Sequence, residues 1–194
     1  MLDEFKKNKV LTNIKETDYL IEVECDNKNV KSFLKDIKNT NSYLFEQLLD
    51  ITAVDHPSRE SRFDLVYILQ SLKNNKKLIL TTFLKENEVI ESITSIYKSA
   101  DWYERECYDL FGIEFTNHPD LRRIMTDYNF EGHPLRKDFP LTGHTEVRYD
   151  DLEKRVIYEP VKLAQEFRDF DSESPWEGLQ NDLVGDEKTK IDKN

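Results

Sequence analysis

The densest run of chemically able groups is Glu104-Arg105-Glu106-Cys107-Tyr108-Asp109. On a helix Glu106 and Asp109 share a face at i,i+3, and Arg105 and Asp109 at i,i+4, while Glu104 and Glu106 point apart. Glu106 with Asp109 is therefore the one carboxylate pair in the run that could divide acid and base work at a scissile bond. The same spacing equally suits an ion-pair platform for another chain. Cys107 falls on the i, i+4, i+7 stripe Tyr103, Cys107, Leu110, which predicts a small core residue and not a nucleophile.

Four histidines, His56, His118, His133 and His144, raise a metal reading. None forms His-x-x-x-His or pairs with a cysteine at ligand spacing, and all four adjoin proline or glycine, as turn residues do. Glycine-rich phosphate loops and Gly-x-Ser-x-Gly are missing from the sequence, so nucleotide binding and serine hydrolysis have no motif behind them. No residue is assigned as a catalyst, cofactor ligand or metal ligand. Arg122, Arg123, Arg136 and Lys137 sit among turn signals, where arginine suits bidentate pairing with carboxylates across an interface; each could equally be solvated charge. Asn129 and Gly132 are positions where a left-handed backbone is cheap and could set a bend.

These residues need elements to hold them, and 194 residues suffice for one domain with an appendage. A hydrophobic share of 38% with 11% aromatics predicts that most of the chain is ordered. The longest apolar run, Leu65 to Leu69, is far short of the ~20 residues that span a bilayer. Met1 to Val10 lacks the apolar core of a secretory signal, and acids begin at Asp3 before the first arginine at Arg59, unlike an Arg-rich presequence. Cys25 and Cys107 show no paired spacing, which fits a reducing compartment. The net charge of −11 arises from the middle and tail of the chain. Such acidity argues against nucleic acid or anionic lipid as a direct partner.

All five glycines follow Phe111, and five of the six prolines follow Asn117. Before that divide, period-two and helical patterns alternate. Tyr19 to Cys25 reads as a strand; Val30, Phe33, Leu34 and Ile37 as a helix; a segment within Phe45 to Val54 as a strand. Phe63 to Leu72 and Lys77 to Lys85 form a hairpin around a polar loop. Ile90, Ile93 and Tyr97 suggest a helix, and Asp101 to Phe111 a second one. Residues 1–117 are thus expected to be an α+β domain, a two-layer mixed sheet of three or four strands with helices on one face.

Residues 118–178 break every period with His118-Pro119, His133-Pro134, Phe139-Pro140 and Thr142-Gly143, yet keep Tyr128, Phe130, Phe139, Tyr149, Tyr158, Phe167, Phe170 and Trp176. An extended segment that must bury aromatics and cannot build its own core needs another surface. It reads as an extended C-terminal arm lying on a partner, with a local hairpin (Glu146 to Tyr149 with Val156 to Glu159) and a short helix from Pro160. A small second domain is the alternative. Residues 179–194 read as a disordered tail.

Trp102-Tyr103-Glu104-Arg105-Glu106-Cys107-Tyr108-Asp109-Leu110-Phe111-Gly112, followed by Asn117-His118-Pro119-Asp120-Leu121-Arg122-Arg123-Ile124, closely resembles the signature of the thirty-kilodalton (C) subunit of respiratory complex I, NADH:quinone oxidoreductase. The similarity continues through Thr126 to Leu141, Glu146 to Asp150, Gln165 to Arg168 and Ser174 to Glu177, and covers roughly Phe45 to Glu177. Asn129 stands where many relatives have glycine, and Lys98 where they often have proline.

The resemblance implies a membrane-extrinsic subunit of a proton-pumping translocase of the respiratory chain. It carries no cofactor of its own; FMN, iron–sulfur clusters, NADH and ubiquinone belong to other subunits. It docks on the large subunit of the quinone site, over which its arm wraps. The interface candidates are Glu104, Arg105, Glu106, Asp109, His118, Arg122, Arg123, Gly132, His133, Arg136 and Lys137. The likeness of His118 to Phe139 to mitochondrial and α-proteobacterial forms implies the matrix side of the mitochondrial inner membrane, or the cytoplasmic face of a bacterial inner membrane. Two other readings stand beside it: the equivalent subunit of a related membrane-bound hydrogenase or dehydrogenase, and a free-standing acidic hydrolase using Glu106 and Asp109.

Overall fold

A computed structural model describes residues 10–40, 43–163 and 165. Strands β1 (Leu11–Glu16) and β2 (Leu20–Cys25) lead through a 3-10 turn at Asn27–Asn29 into helix α1 (Val30–Asn39). Then come β3 (Gln47–Asp55), β4 (Phe63–Ser71) and β5 (Lys76–Leu84). Short β6 (Ile90–Glu91), helix α2 (Ala100–Phe111), short β7 (Phe115–Thr116), β8 (Thr145–Asp150) and β9 (Arg155–Pro160) complete the described chain.

The fold is α+β. Five strands form one mixed sheet in the order β1-β2-β5-β4-β3, with β2 and β5 parallel and the other pairs antiparallel. Strand β4 shows the cause plainly. Its odd positions Phe63, Leu65, Tyr67 and Leu69 are buried while the even ones are half-exposed, so one face of the sheet makes the core. Helix α1 adds Val30, Phe33, Leu34 and Ile37 to that core at helical spacing, and α2 adds Ala100, Cys107 and Phe111. Both cysteines are buried and free. Burial first, and Asp26 second, push the Cys25 thiol up to about 11; burial, Glu106, Asp50 and Glu104 raise Cys107. Cys107 is thus the core residue its stripe predicts.

Two elements before Asn117 depart from the sequence reading. The sheet has a fifth strand, β1, an edge strand in which only Leu11 is buried and whose register shifts between Thr12 and Lys15. The helix expected at Ile90, Ile93 and Tyr97 is absent. All three side chains are buried, but Ile90–Glu91 pairs in parallel with Phe115–Thr116 and the following residues turn. Ser92 Oγ takes the amide of Thr94 at 3.2 Å, and a carboxylate oxygen of Glu104 takes that of Ile93 at 2.8 Å. Side-chain acceptors capture amides that a helix would need.

Residues up to His144 pack as one unit and those from Thr145 as another. The division falls past Asn117, because residues 118–144 are bonded to α2 and the sheet, as detailed below. In the second unit, β8 pairs with β9 in the register expected for the hairpin, Glu146 opposite Glu159 and Tyr149 opposite Val156. The helix expected from Pro160 does not begin there, because Pro160 ends β9 opposite Thr145, and residues 161–163 are not helical. The aromatics Phe167, Phe170 and Trp176, the matching stretches beyond Gln165, and the tail 179–194 lie outside the described residues.

Candidate functional site

Helix α2 ends at Phe111, and Gly112 follows with φ +76°, its amide bonded to the Tyr108 carbonyl at 2.9 Å. The last carbonyls of a helix have no partner inside it. Here the segment after β7 supplies them. His133 Nδ1–H donates to the Asp109 carbonyl at 2.9 Å, the Leu135 amide to that of Leu110 at 3.0 Å, and Arg136 Nε to that of Phe111 at 2.6 Å. The cationic Arg136 also complements the negative end of the helix. Burial first, helped by Arg136 and Arg123, pushes His133 below its usual range and favours the neutral ring.

Asp109 anchors this segment, a strap formed by residues 118–144, from inside. Its side chain is wholly buried. It accepts Arg123 Nη1 at 2.7 Å, Thr126 Oγ1 at 2.5 Å, and the amides of Ile124, Met125 and Thr126 at 3.0, 2.7 and 2.8 Å. Burial alone would raise this acid; the bonds from Thr126, Arg123 and Met125 outweigh it and hold the carboxylate far below the usual range. Arg123 also donates to the Gly132 carbonyl at 3.0 Å, and Arg105 to the carbonyls of Arg122 and Arg123 at 3.2 and 3.3 Å. Both oxygens of the buried Asp109 are occupied by these donors, so the group is not free to work with Glu106 as a hydrolytic pair.

A second anchor lies at the end of the sheet, on residues that no motif or spacing singles out. Asp55, on β3, accepts Arg62 twice, at 2.8 and 3.0 Å, and the Lys137 amide at 2.7 Å. Arg62 reaches on to Glu86 at 3.0 Å and Asp138 at 2.9 Å, and Glu86 also takes Arg136 at 3.2 Å. The guanidinium groups of Arg62 and Arg136 each lie 5.3 Å from the centre of the Phe63 ring. Hydrogen bonds from Arg62 first, and then from the Lys137 amide, depress Asp55 despite burial. These partners lie 7 and 82 positions from Asp55, beyond any local pattern.

The interface candidates are thus divided. Glu104 and Asp109 are buried, and Arg123, His133 and Arg136 are half-buried and engaged within the chain. The His118 side chain is wholly buried, its Nε2 3.1 Å from Asp101 Oδ1 and 3.8 Å from Glu104 Oε2. Arg122 is exposed and pairs with Asp120 at 2.8 Å; Lys137 keeps its side chain exposed; Arg105 and Glu106 are half-exposed. Gly132 has φ +93° and Phe139 lies against it, 2.9 Å from where a Cβ would stand, so it does bend the strap. Asn129 is not left-handed; Asn117 is, at φ +61°. Among the described residues no group of three or more His, Cys, Asp or Glu is placed to hold a metal ion.

Residues 23–145 match the family described as respiratory-chain NADH dehydrogenase, 30 Kd subunit. The chain belongs to that family. It is 55% identical to the C subunit of NADH-quinone oxidoreductase from Parvibaculum lavamentivorans over 163 residues, covering 84% of this chain and 82% of the relative. The protein of the same name from Ruegeria pomeroyi is 53% identical over 168 residues, covering 87% and 84%. That from Sinorhizobium medicae is 60% identical over 146 residues, covering 75% and 73%. Among solved structures, a chain of the membrane-bound sulfane sulfur reductase, an archaeal respiratory membrane complex, superposes with a TM-score of 0.63 at 26% identity, covering 72% of this chain and 83% of that one. No described helix is long and apolar enough to cross a membrane.

The strap makes the family signature intelligible as packing. A chain cut after Asn117 would leave buried Asp109 and Asp55 without the donors from Arg123, Thr126 and the Lys137 amide. Breaking a buried ionic contact on one side costs about 3–5 kcal/mol. Truncation after Asn117 is therefore expected to abolish cooperative unfolding, whereas truncation after His144 keeps it; thermal melts of the two fragments decide the matter.

Proposed function

We propose that this chain is a cofactor-free peripheral-arm subunit of a proton-pumping NADH–ubiquinone oxidoreductase, docking on the large quinone-site subunit and required for assembly and for electron transfer to quinone. Its contribution to catalysis is to hold cofactor-bearing neighbours in register. It does no chemistry alone. FMN, the iron–sulfur clusters, NADH and ubiquinone are assigned to other subunits, and the chain meets the membrane only through the complex. Its place is the matrix side of the mitochondrial inner membrane, or, as the bacterial relatives favour, the cytoplasmic face of a bacterial inner membrane.

The observation that carries this reading is the β8–β9 hairpin. Val147 opposes Tyr158 and Tyr149 opposes Val156, so the four share one face, and they are 54–64% exposed. A lone two-stranded hairpin is marginal in water and needs a further surface. On the first unit, Trp102, Met125 and Tyr128 are also 65–72% exposed, and Arg122 lies 3.5 Å from the Tyr128 hydroxyl. Exposed tryptophan, tyrosine, methionine and arginine are the types that dominate interface cores. Replacing Tyr149 and Tyr158 together by serine is expected to cut recovery of the large subunit with the tagged chain at least about tenfold, with the melting of the first unit unchanged. Equal recovery would sink the docking role.

The likeness to the sulfane sulfur reductase chain supports a second reading, the equivalent subunit of a related respiratory membrane complex. Mild detergent purification followed by identification of the accompanying subunits separates the two.

A further inference from the structure

Beneath the start of the strap lies a cluster that the docking role does not use. Glu104 is wholly buried on α2. Its Oε1 accepts the Ile93 amide at 2.8 Å, and its Oε2 has no hydrogen-bond partner among the described residues. Asp101 Oδ1, one turn earlier, is also buried without one. Both oxygens face the same atom, Nε2 of the buried His118 ring, at 3.8 and 3.1 Å. The Asp120 amide donates to His118 Nδ1 at 3.1 Å, so in the neutral ring the proton sits on Nε2. That N–H donates to the Asp101 main-chain carbonyl at 3.1 Å, and the two carboxylate oxygens beside it have no donor among the described residues.

We propose that Glu104 is a proton-operated latch on the strap: while it is protonated, His118 Nε2–H rests on the Asp101 main-chain carbonyl, and when it ionises it draws that N–H away from the carbonyl, shifting the His118–Asp120 turn against α2. The distances match the first state, with Nε2 3.1 Å from the Asp101 carbonyl and 3.8 Å from Glu104 Oε2. Losing the proton from Glu104 makes its Oε2 a charged acceptor, and charged acceptors outcompete neutral ones. Other groups facing Glu104 are Ser92 and the Ile93 amide from the turn after β6, Lys31 from α1, and Tyr67 from β4. Burial first, with Asp101 adding to it against Ile93, Ser92 and Lys31, pushes Glu104 up to about 7, so the two states exchange near neutral pH. A cavity of about 360 Å³ lined by Thr94, Ser95, Lys98, Asp101, Asn117 and Pro119 opens beside Asp101.

The sign follows from linkage. A carboxyl raised in the folded chain adds stability that is full below its unfolded value and is lost as pH rises through the folded one. The test is amide exchange at Asp120 in the full chain, corrected for intrinsic pH dependence, with Glu104→Gln as the fixed neutral form. Wild type is expected to change at least about fivefold between about pH 6 and pH 8, and the glutamine variant by less than about twofold. A flat wild type, or an equal response in the variant, overturns the latch. If the variant does not fold, carboxyl-¹³C titration of Glu104 in the unaltered chain decides it: a midpoint near neutrality supports the latch, and one below about pH 5 refutes it. The latch does not depend on which partner the chain binds.

Discussion

Asp109→Asn is expected to destabilise the full chain by about 3–5 kcal/mol, because an amide cannot accept five donors gathered around a buried carboxylate and leaves Arg123 uncompensated. For a chain of this size that is a fall in Tm of roughly 10 °C. The change also has a pH signature. Because the folded carboxylate is held far below its usual range, its stabilisation is present above the unfolded value of about 3.9 and is lost as pH falls through the folded one. Wild type should therefore lose stability on acidification in a range where the variant loses less. Denaturant midpoints measured from neutral to acid pH check both statements, and a variant within about 1 kcal/mol of wild type would show that Asp109 is not the anchor.

Gly112→Ala is expected to release the strap while leaving the sheet folded. The left-handed backbone at φ +76° costs an alanine about 1–2 kcal/mol. The added Cβ would stand 2.6 Å from both Arg136 Nη2 and His133 Nε2, the two side chains that cap α2. With their hydrogen bonds displaced, the total loss is about 2–4 kcal/mol. Local opening of the strap should speed tryptic cleavage after Arg136 and Lys137 about tenfold, with the far-ultraviolet spectrum retained. Unchanged cleavage would mean that the His133–Arg136 cap does not hold the strap.

The elements recognised in the sequence are those whose side chains meet a single face. Strand β4 alternates and α1 repeats at i, i+3, i+4 because each buries one side against the same core. Edge strand β1 escaped, since a strand with Leu11 as its one buried residue carries almost no alternation. The Ile90, Ile93, Tyr97 pattern misled for the converse reason: burial at helical spacing is also satisfied by a strand and a turn, and the choice lay with Ser92 and Glu104 competing for amides. The hairpin β8–β9 was legible in full, because register follows from pairing neighbours in sequence.

The site was half legible. Its residue types and the family signature marked Glu104 to Asp109 and His118 to Lys137 as belonging together, and Cys107 as core. Nothing in their spacing told that the arginines and histidines of the turn-rich segment would face inward to this chain's own helix end. The sequence by itself determined the α+β pattern, the acidic charge, the hairpin and the family. The tertiary structure alone decided that residues 118–144 close over α2, that Asp55, Arg62 and Glu86 join them, and that Glu104 and Asp109, five residues apart on one helix, are pushed in opposite directions of acidity. A side chain's identity fixes what it can bond, but its charge state depends on what the fold brings near: Asp109 meets five donors, whereas Glu104 meets one amide, a second acid and a buried imidazole.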